Sequence, residues 1–146
     1  MLDKNVYTSV ELRIEKARNC IQAAETLLST GAYADSANRS YYGIFHAMQA
    51  ILTIAGFSSK THTSCITEFQ KSYVKTGVFS SLHSDILRDA FKTRNKSDYD
   101  IHYVVVKSEV KDQLENAKVF LAAVEVYIKV RYQRDENTPV TEHFRP

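Results

Sequence analysis

Proline is missing from the first 138 residues of this 146-residue chain; its two prolines are Pro139 and Pro146. Nothing before the C-terminal tail therefore forbids long helices, because no ring removes a backbone N–H or clashes with a preceding carbonyl. Glycine is nearly as scarce, with four in all. Two cysteines, Cys20 and Cys65, are too few for a disulfide framework at this length, and each sits in an apolar-periodic segment, so they read as buried thiols in a reducing compartment. There is no tryptophan, no apolar run of membrane-spanning length and no hydrophobic signal region at Met1–Asn5, which places the expected location in the cytoplasm, away from any membrane. Charge of one sign is lacking too. A net +2 does not by itself imply a nucleic-acid partner, so any such partner has to be argued from where the charges lie.

What is present is helical periodicity. Gly31, Gly56 and Gly77 each follow an apolar-periodic stretch, where a helix C-cap favours a residue that tolerates positive φ. They divide the chain into four long helices and a short extra one, an all-α, up-and-down bundle in a single unit over residues 1–133, followed by a mobile tail at 134–146. The first helix is expected to start near Thr8, which with Glu11 has capping-box spacing, and to bury Val10, Ile14, Ala17, Ile21, Ala24 and Leu28. The others are expected at about 33–55, 64–75, 82–99 and from Ser108 onward, with Val110, Leu114, Ala117, Leu121, Val124 and Ile128 as the seam of the last. Residues 101–106 are β-branched but read better as an apolar loop than as a strand.

Two helices carry residues that a plain core does not need. On the second, Ala37, Tyr41, Ile44, Phe45, Met48, Ile51, Leu52 and Ala55 form the core stripe. The opposite side aligns Arg39, Tyr42, His46, Gln49 and Thr53, flanked by the small residues Gly43, Ala47 and Ala50. Small residues beside polar ones predict the close approach of another helix. That helix belongs either to this chain, leaving His46 a satisfied core imidazole, or to a dimer partner. On the fourth helix Arg88, Lys92 and Lys96 make a basic ridge, while Arg94 lies among the apolar positions His83, Leu87, Ala90 and Phe91. A guanidinium cannot shed its charge, so Arg94 either pairs with an acid, Asp98 being one turn away, or positions a phosphate. Asn95, Tyr99 and His102 crowd the same end, and Tyr99 or Tyr103 could stack on a base. The five histidines show no metal-site spacing, no phosphate-cradling glycine loop exists, and no cofactor is expected.

The segments Ala37-Asn-Arg-Ser-Tyr-Tyr-Gly-Ile-Phe-His-Ala-Met, Gly56-Phe-Ser-Ser-Lys-Thr-His, Phe69 to Val74, and Arg94-Asn-Lys-Ser-Asp-Tyr come in an order and spacing that resemble the HEPN family (higher eukaryotes and prokaryotes nucleotide-binding domain), in its small stand-alone prokaryotic branch. The resemblance spans roughly residues 8–130. It implies a dimeric helical bundle, often a metal-independent ribonuclease or toxin encoded beside a minimal nucleotidyltransferase. It also implies an active site made of an arginine, a polar residue and a histidine four to six residues further on. Arg94 and Asn95 match the first two, gripping the scissile phosphate of RNA while a histidine assists the ribose 2′-hydroxyl. His102 is the candidate for that histidine, with seven residues between it and Arg94, one more than the pattern has, and Tyr99, at the position of shortest spacing, would shape the site. The alternative reading is a non-catalytic adaptor that binds a nucleotide or a nucleotidyltransferase, with Arg94 structural and Tyr99 or Tyr103 open to modification by that partner.

Overall fold

Helix α1 spans Lys4–Ser29, α2 Tyr33–Ile54, α3 His62–Phe69, α4 Ser81–Tyr99 and α5 Lys107–Glu136 in the computed structural model, which describes residues 3–136. The result is an all-α bundle of four long helices and one short one, as the glycine punctuation predicts. Gly31, Gly56 and Gly77 all have φ near +80°, the left-handed conformation that ends a helix without a Cβ clash. Among the described residues no strand forms, and residues 101–106 are a turn and irregular loop. No described helix is long and apolar enough to cross a membrane.

The apolar periods land where expected. Val10, Ile14, Ala17, Ile21 and Ala24 of α1 are buried, as are Val110, Leu114, Ala117, Leu121, Val124 and Ile128 of α5, while Leu28, also expected in the α1 stripe, is half-buried at the edge of the core near the helix end. Both helices pack on α2, which also touches α3 and α4 and is the central element. Its predicted core stripe is buried from Ala37 to Leu52, and only Ala55, past the helix end, is exposed. Cys20 and Cys65 are free and buried.

Three boundaries differ from the sequence reading. Helix α1 starts one turn before Thr8, with Asp3 as N-cap accepting a 2.6 Å bond from the Asn5 N–H. Val6 and Tyr7 pack against the core, and Tyr7 stacks on Tyr132 of α5 at 4.1 Å, so tertiary contact extends the helix past the Thr8 signal. Asp3→Ala is therefore expected to lower stability by about 1 kcal/mol and Thr8→Ala by less than about 0.5 kcal/mol. Urea melts of the two variants check this, and the reverse order would restore Thr8 as the cap. Helix α3 begins at His62, two residues before the expected start, because Thr61 caps it, its Oγ1 accepting from the Ser64 N–H at 3.2 Å. It then widens into a π-helical turn over Gln70–Val74, where the Lys75 N–H donates to the Gln70 carbonyl. Phe69 and Tyr73, four residues apart, both face inward and stack 5.7 Å apart. Helix α5 runs to Glu136, past the expected start of the tail at residue 134; the remainder of that tail lies outside the described residues.

Candidate functional site

The polar face of α2 meets α1 of the same chain. Gly43 leaves no room between the two helices: a Cβ there would sit 2.8 Å from Ile21 Cγ1 and 3.4 Å from the Ala17 carbonyl oxygen. Along this contact the polar groups bond across. Arg13 donates to Gln49 Oε1 at 2.8 Å, the Ser36 hydroxyl donates to the Ala24 carbonyl at 2.7 Å, and Arg39 reaches Cys20 Sγ at 3.8 Å while donating to Asn38 Oδ1 at 2.9 Å. The Arg39 guanidinium also lies 5.1 Å over the Tyr42 ring.

His46 is half-buried on this face, and its Nδ1 is enclosed without a hydrogen-bond partner. Burial, reinforced by the cations Lys16, Arg13 and Arg39, pushes its pKa down to about 4 against the opposing effect of a side-chain hydrogen bond to Gln49. The imidazole is thus held neutral. The unfolded chain takes up a proton there below about pH 6.5, the folded chain only near 4, so the stabilisation is complete above 6.5 and fades as pH falls from 6.5 towards 4. His62 and His83 are shifted in the same direction by burial. Between pH 7.5 and 5 the His46 contribution to this loss is expected to be about 1 kcal/mol, discounted for its partial exposure. Urea midpoints at the two pH values measure it. His46→Gln should flatten the dependence, and an unchanged slope in that variant would remove His46 as its source.

Where α4 nears its end, Arg94 turns inward, as its place among apolar positions predicts. Its side chain is 17% exposed. Nε lies 3.0 Å from Asp98 Oδ2 in an i,i+4 ion pair, though without the alignment of a hydrogen bond. The two terminal nitrogens make only long bonds to neutral acceptors, Asn95 Oδ1 and the Tyr42 hydroxyl, both at 3.2 Å. Three tyrosine rings surround the guanidinium, Tyr41 and Tyr42 at 5.6 Å and Tyr99 at 5.9 Å. These contacts are cation–π in character and leave the N–H groups free to turn to a better acceptor.

The structure thus brings together four of the residues singled out with Arg94: Asn95, Asp98, Tyr99 and Tyr42. It does not bring in His102. That residue lies exposed on the turn after α4, with its backbone N–H bonded to Asp100 Oδ1 at 3.0 Å, and among the described residues its ring has no hydrogen bond, ion pair or ring contact. Arg39 and His46 lie along the α1–α2 contact and meet the cluster through neighbouring rings, Arg39 through Tyr42 and His46 through Tyr42 at 6.1 Å and Phe45 at 6.5 Å.

A different histidine occupies the Arg94 cluster. His62, the first residue of α3, stacks on Phe45 with centroids 4.0 Å apart and holds Nδ1 2.7 Å from the Tyr41 hydroxyl. Its ring is 5.8 Å from both Tyr41 and Tyr42, the rings that the Arg94 guanidinium faces. Burial first, and the Arg94 charge second, lower its pKa and keep it neutral near pH 7. In the sequence His62 stands out only as the end of the Gly56-Phe-Ser-Ser-Lys-Thr-His segment, with no role attached to it. The one local signal was Thr61 followed three residues later by Ser64, which starts a helix at His62 and directs that residue back towards α2.

Outside this cluster the basic ridge is only partly free: Arg88 pairs with Asp85 at 2.6 Å, and Lys96 sits 5.7 Å over Tyr103. Lys92 and Lys96 border a groove of about 420 Å³ between α4 and α5, which Asp89, Glu109 and Asp112 also line.

The HEPN domain model matches residues 10–127. The chain is 34% identical to a UPF0332 protein of Archaeoglobus fulgidus over 77% of its own length and 89% of that protein. It is 29% identical to a UPF0332 protein of Thermotoga maritima, over 82% of this chain and 91% of that one. A third relative, 27% identical over 82% of this chain and 81% of its own, is the protein named "Putative toxin MJ0142" of Methanocaldococcus jannaschii. With a helical bundle that turns an arginine inward at the end of α4 and a family match over most of its length, the chain belongs to the HEPN domain family.

Proposed function

We propose that this protein is a toxin-like HEPN protein that binds and cleaves RNA, without a metal ion, at the Arg94 cluster of a homodimer, and that a minimal nucleotidyltransferase is its neutralising partner. One observation carries the reading. Arg94 is enclosed, permanently charged and incompletely satisfied: one carboxylate meets Nε, while its terminal N–H groups rest on long bonds to a neutral amide and a phenol. A phosphate oxygen is a stronger acceptor than either, and charge-assisted bonds are roughly twice as strong as neutral ones. Lys92 and Lys96 on the neighbouring ridge would draw in the rest of a polyanion.

The dimer is supported by apolar surface beside the site. Tyr99, whose ring lies 5.9 Å from the Arg94 guanidinium, is 75% exposed, and Ile101 and Val104 in the loop after α4 are 92% and 78% exposed, large side chains left in water. A second copy laid over this patch would bring two arginines to one cleft. Relatives named as toxins fit such an activity. The proposal is tested by incubating the purified chain with mixed single-stranded RNAs in EDTA at physiological salt. Cleavage leaving cyclic phosphate ends, lost in Arg94→Ala, is expected. An intact RNA pool with wild-type dimer would exclude the nuclease.

The adaptor reading is favoured by one contact, the 3.0 Å ion pair of Arg94 with Asp98. In that case Arg94 ties the end of α4 to its neighbours, and Arg94→Ala lowers the melting temperature without any RNA phenotype.

A further inference from the structure

We propose that His62, not His102, is the imidazole of the Arg94 site, and that through its Nε2–H it donates a hydrogen bond to the same RNA phosphate that Arg94 grips. The inference rests on the reading of Arg94 as a phosphate ligand and adds to it a residue from a different helix.

The hydrogen-bond geometry determines which nitrogen carries the proton. Tyr41 is completely buried, and its hydroxyl has His62 Nδ1 as its one partner among the described residues. Burial raises the Tyr41 pKa, so the phenol keeps its proton at any ordinary pH. A buried O–H without an acceptor is costly, so this one donates to Nδ1. The neutral imidazole then bears its own proton on Nε2. That atom makes no hydrogen bond among the described residues and is not among the enclosed polar atoms, so it remains open to solvent. Stacking on Phe45, together with the Tyr41 bond, fixes the ring plane.

The cluster therefore presents donors from two helices: the guanidinium of Arg94 from α4 and the Nε2–H of His62 from α3, over a floor of the Tyr41 and Tyr42 rings. A neutral imidazole N–H suits this position, since a second full charge beside Arg94 is disfavoured until an anion arrives. A phosphodiester oxygen supplies that anion. Its chemistry matches one donor held in place, the His62 Nε2–H, and one that turns from its long bonds to Asn95 and Tyr42 towards a stronger acceptor, the Arg94 guanidinium. His102, with a free ring on an exposed turn, has no such support.

The test is nitrogen-detected histidine NMR on the full chain, with and without a single-stranded RNA whose riboses are 2′-O-methylated, so that it binds without being cut. In the free protein His62 should show the Nε2–H tautomer; an Nδ1–H tautomer would overturn the assignment. Saturating RNA should shift the His62 Nε2 resonance and raise its pKa by roughly one unit, as a neighbouring phosphate favours the charged form. Arg94→Ala should abolish both RNA binding and the shift, whereas His102→Asn should leave both within about twofold of wild type. RNA binding that depends on Arg94 while His62 resonances stay still would sink the His62 role and leave the Arg94 site standing. RNA that fails to bind, or binds equally well to Arg94→Ala without moving His62, would remove both.

Discussion

Arg94→Ala is expected to lower metal-independent RNA cleavage by about 10²–10³-fold, the usual loss when one preorganised donor to a developing anionic charge is removed. The fold should survive it. Arg94 anchors no core position of its own; the rings around it pack on one another, Tyr41 on Phe45 at 5.8 Å and on Phe91 at 5.9 Å. Asp98 loses its mate but keeps a side chain 34% exposed to water, so the stranded charge is tolerable. The stability loss should stay near 1 kcal/mol, within the range of ordinary substitutions, and activity and melting temperature should separate cleanly. Arg94→Lys sharpens the test. An ammonium preserves the charge but not the planar fork that spans Asp98, Asn95 and Tyr42 at once, so most of the activity should still be lost. A lysine variant as active as wild type would mean that charge alone matters, and a large drop in melting temperature for the alanine variant would favour the structural ion pair over the phosphate site.

Gly43→Leu is expected to be the most damaging single change to the fold, at about 3 kcal/mol, the upper range for overpacking a dense contact. Even the first added carbon would lie 2.8 Å from Ile21 Cγ1, part of a buried side chain close to the α1 backbone, with the Ala17 carbonyl oxygen at 3.4 Å. Leucine has a higher helix propensity than glycine by under about 1 kcal/mol, which is too little to offset the clash. An Ile21→Ala background should recover part of the loss, because it removes the atom in the way. Denaturant melts at two protein concentrations give the decisive comparison. If Gly43 packed against a second subunit, the defect would depend on concentration; against α1 of its own chain it does not.

How the polar face of α2 is covered was legible only in part. Gly43, Ala47 and Ala50 beside Arg39, Tyr42, His46 and Gln49 announce a close helix, and periodicity says nothing about which chain supplies it. The Arg13–Gln49 bond and the Ser36–Ala24 bond identify α1. Both link residues in different helices, and no spacing rule within one helix can reveal such a pair.

The site divides in the same way. That Arg94 points inward and that Asp98 is within reach followed from residues three and four apart sharing a helix face. So did the helices themselves, since scarce proline, three glycines at left-handed φ and apolar steps of three and four are local properties read along one strand of chain. Tertiary structure decided the rest. It placed His62 of α3 against Tyr41 and Phe45 of α2 and left His102 in solvent, although His102 is much nearer to Arg94 in sequence. Local periodicity sets the direction in which a side chain leaves its own helix. Which groups then meet depends on how helices pack against one another, and that is fixed by long-range burial distributed over the whole core.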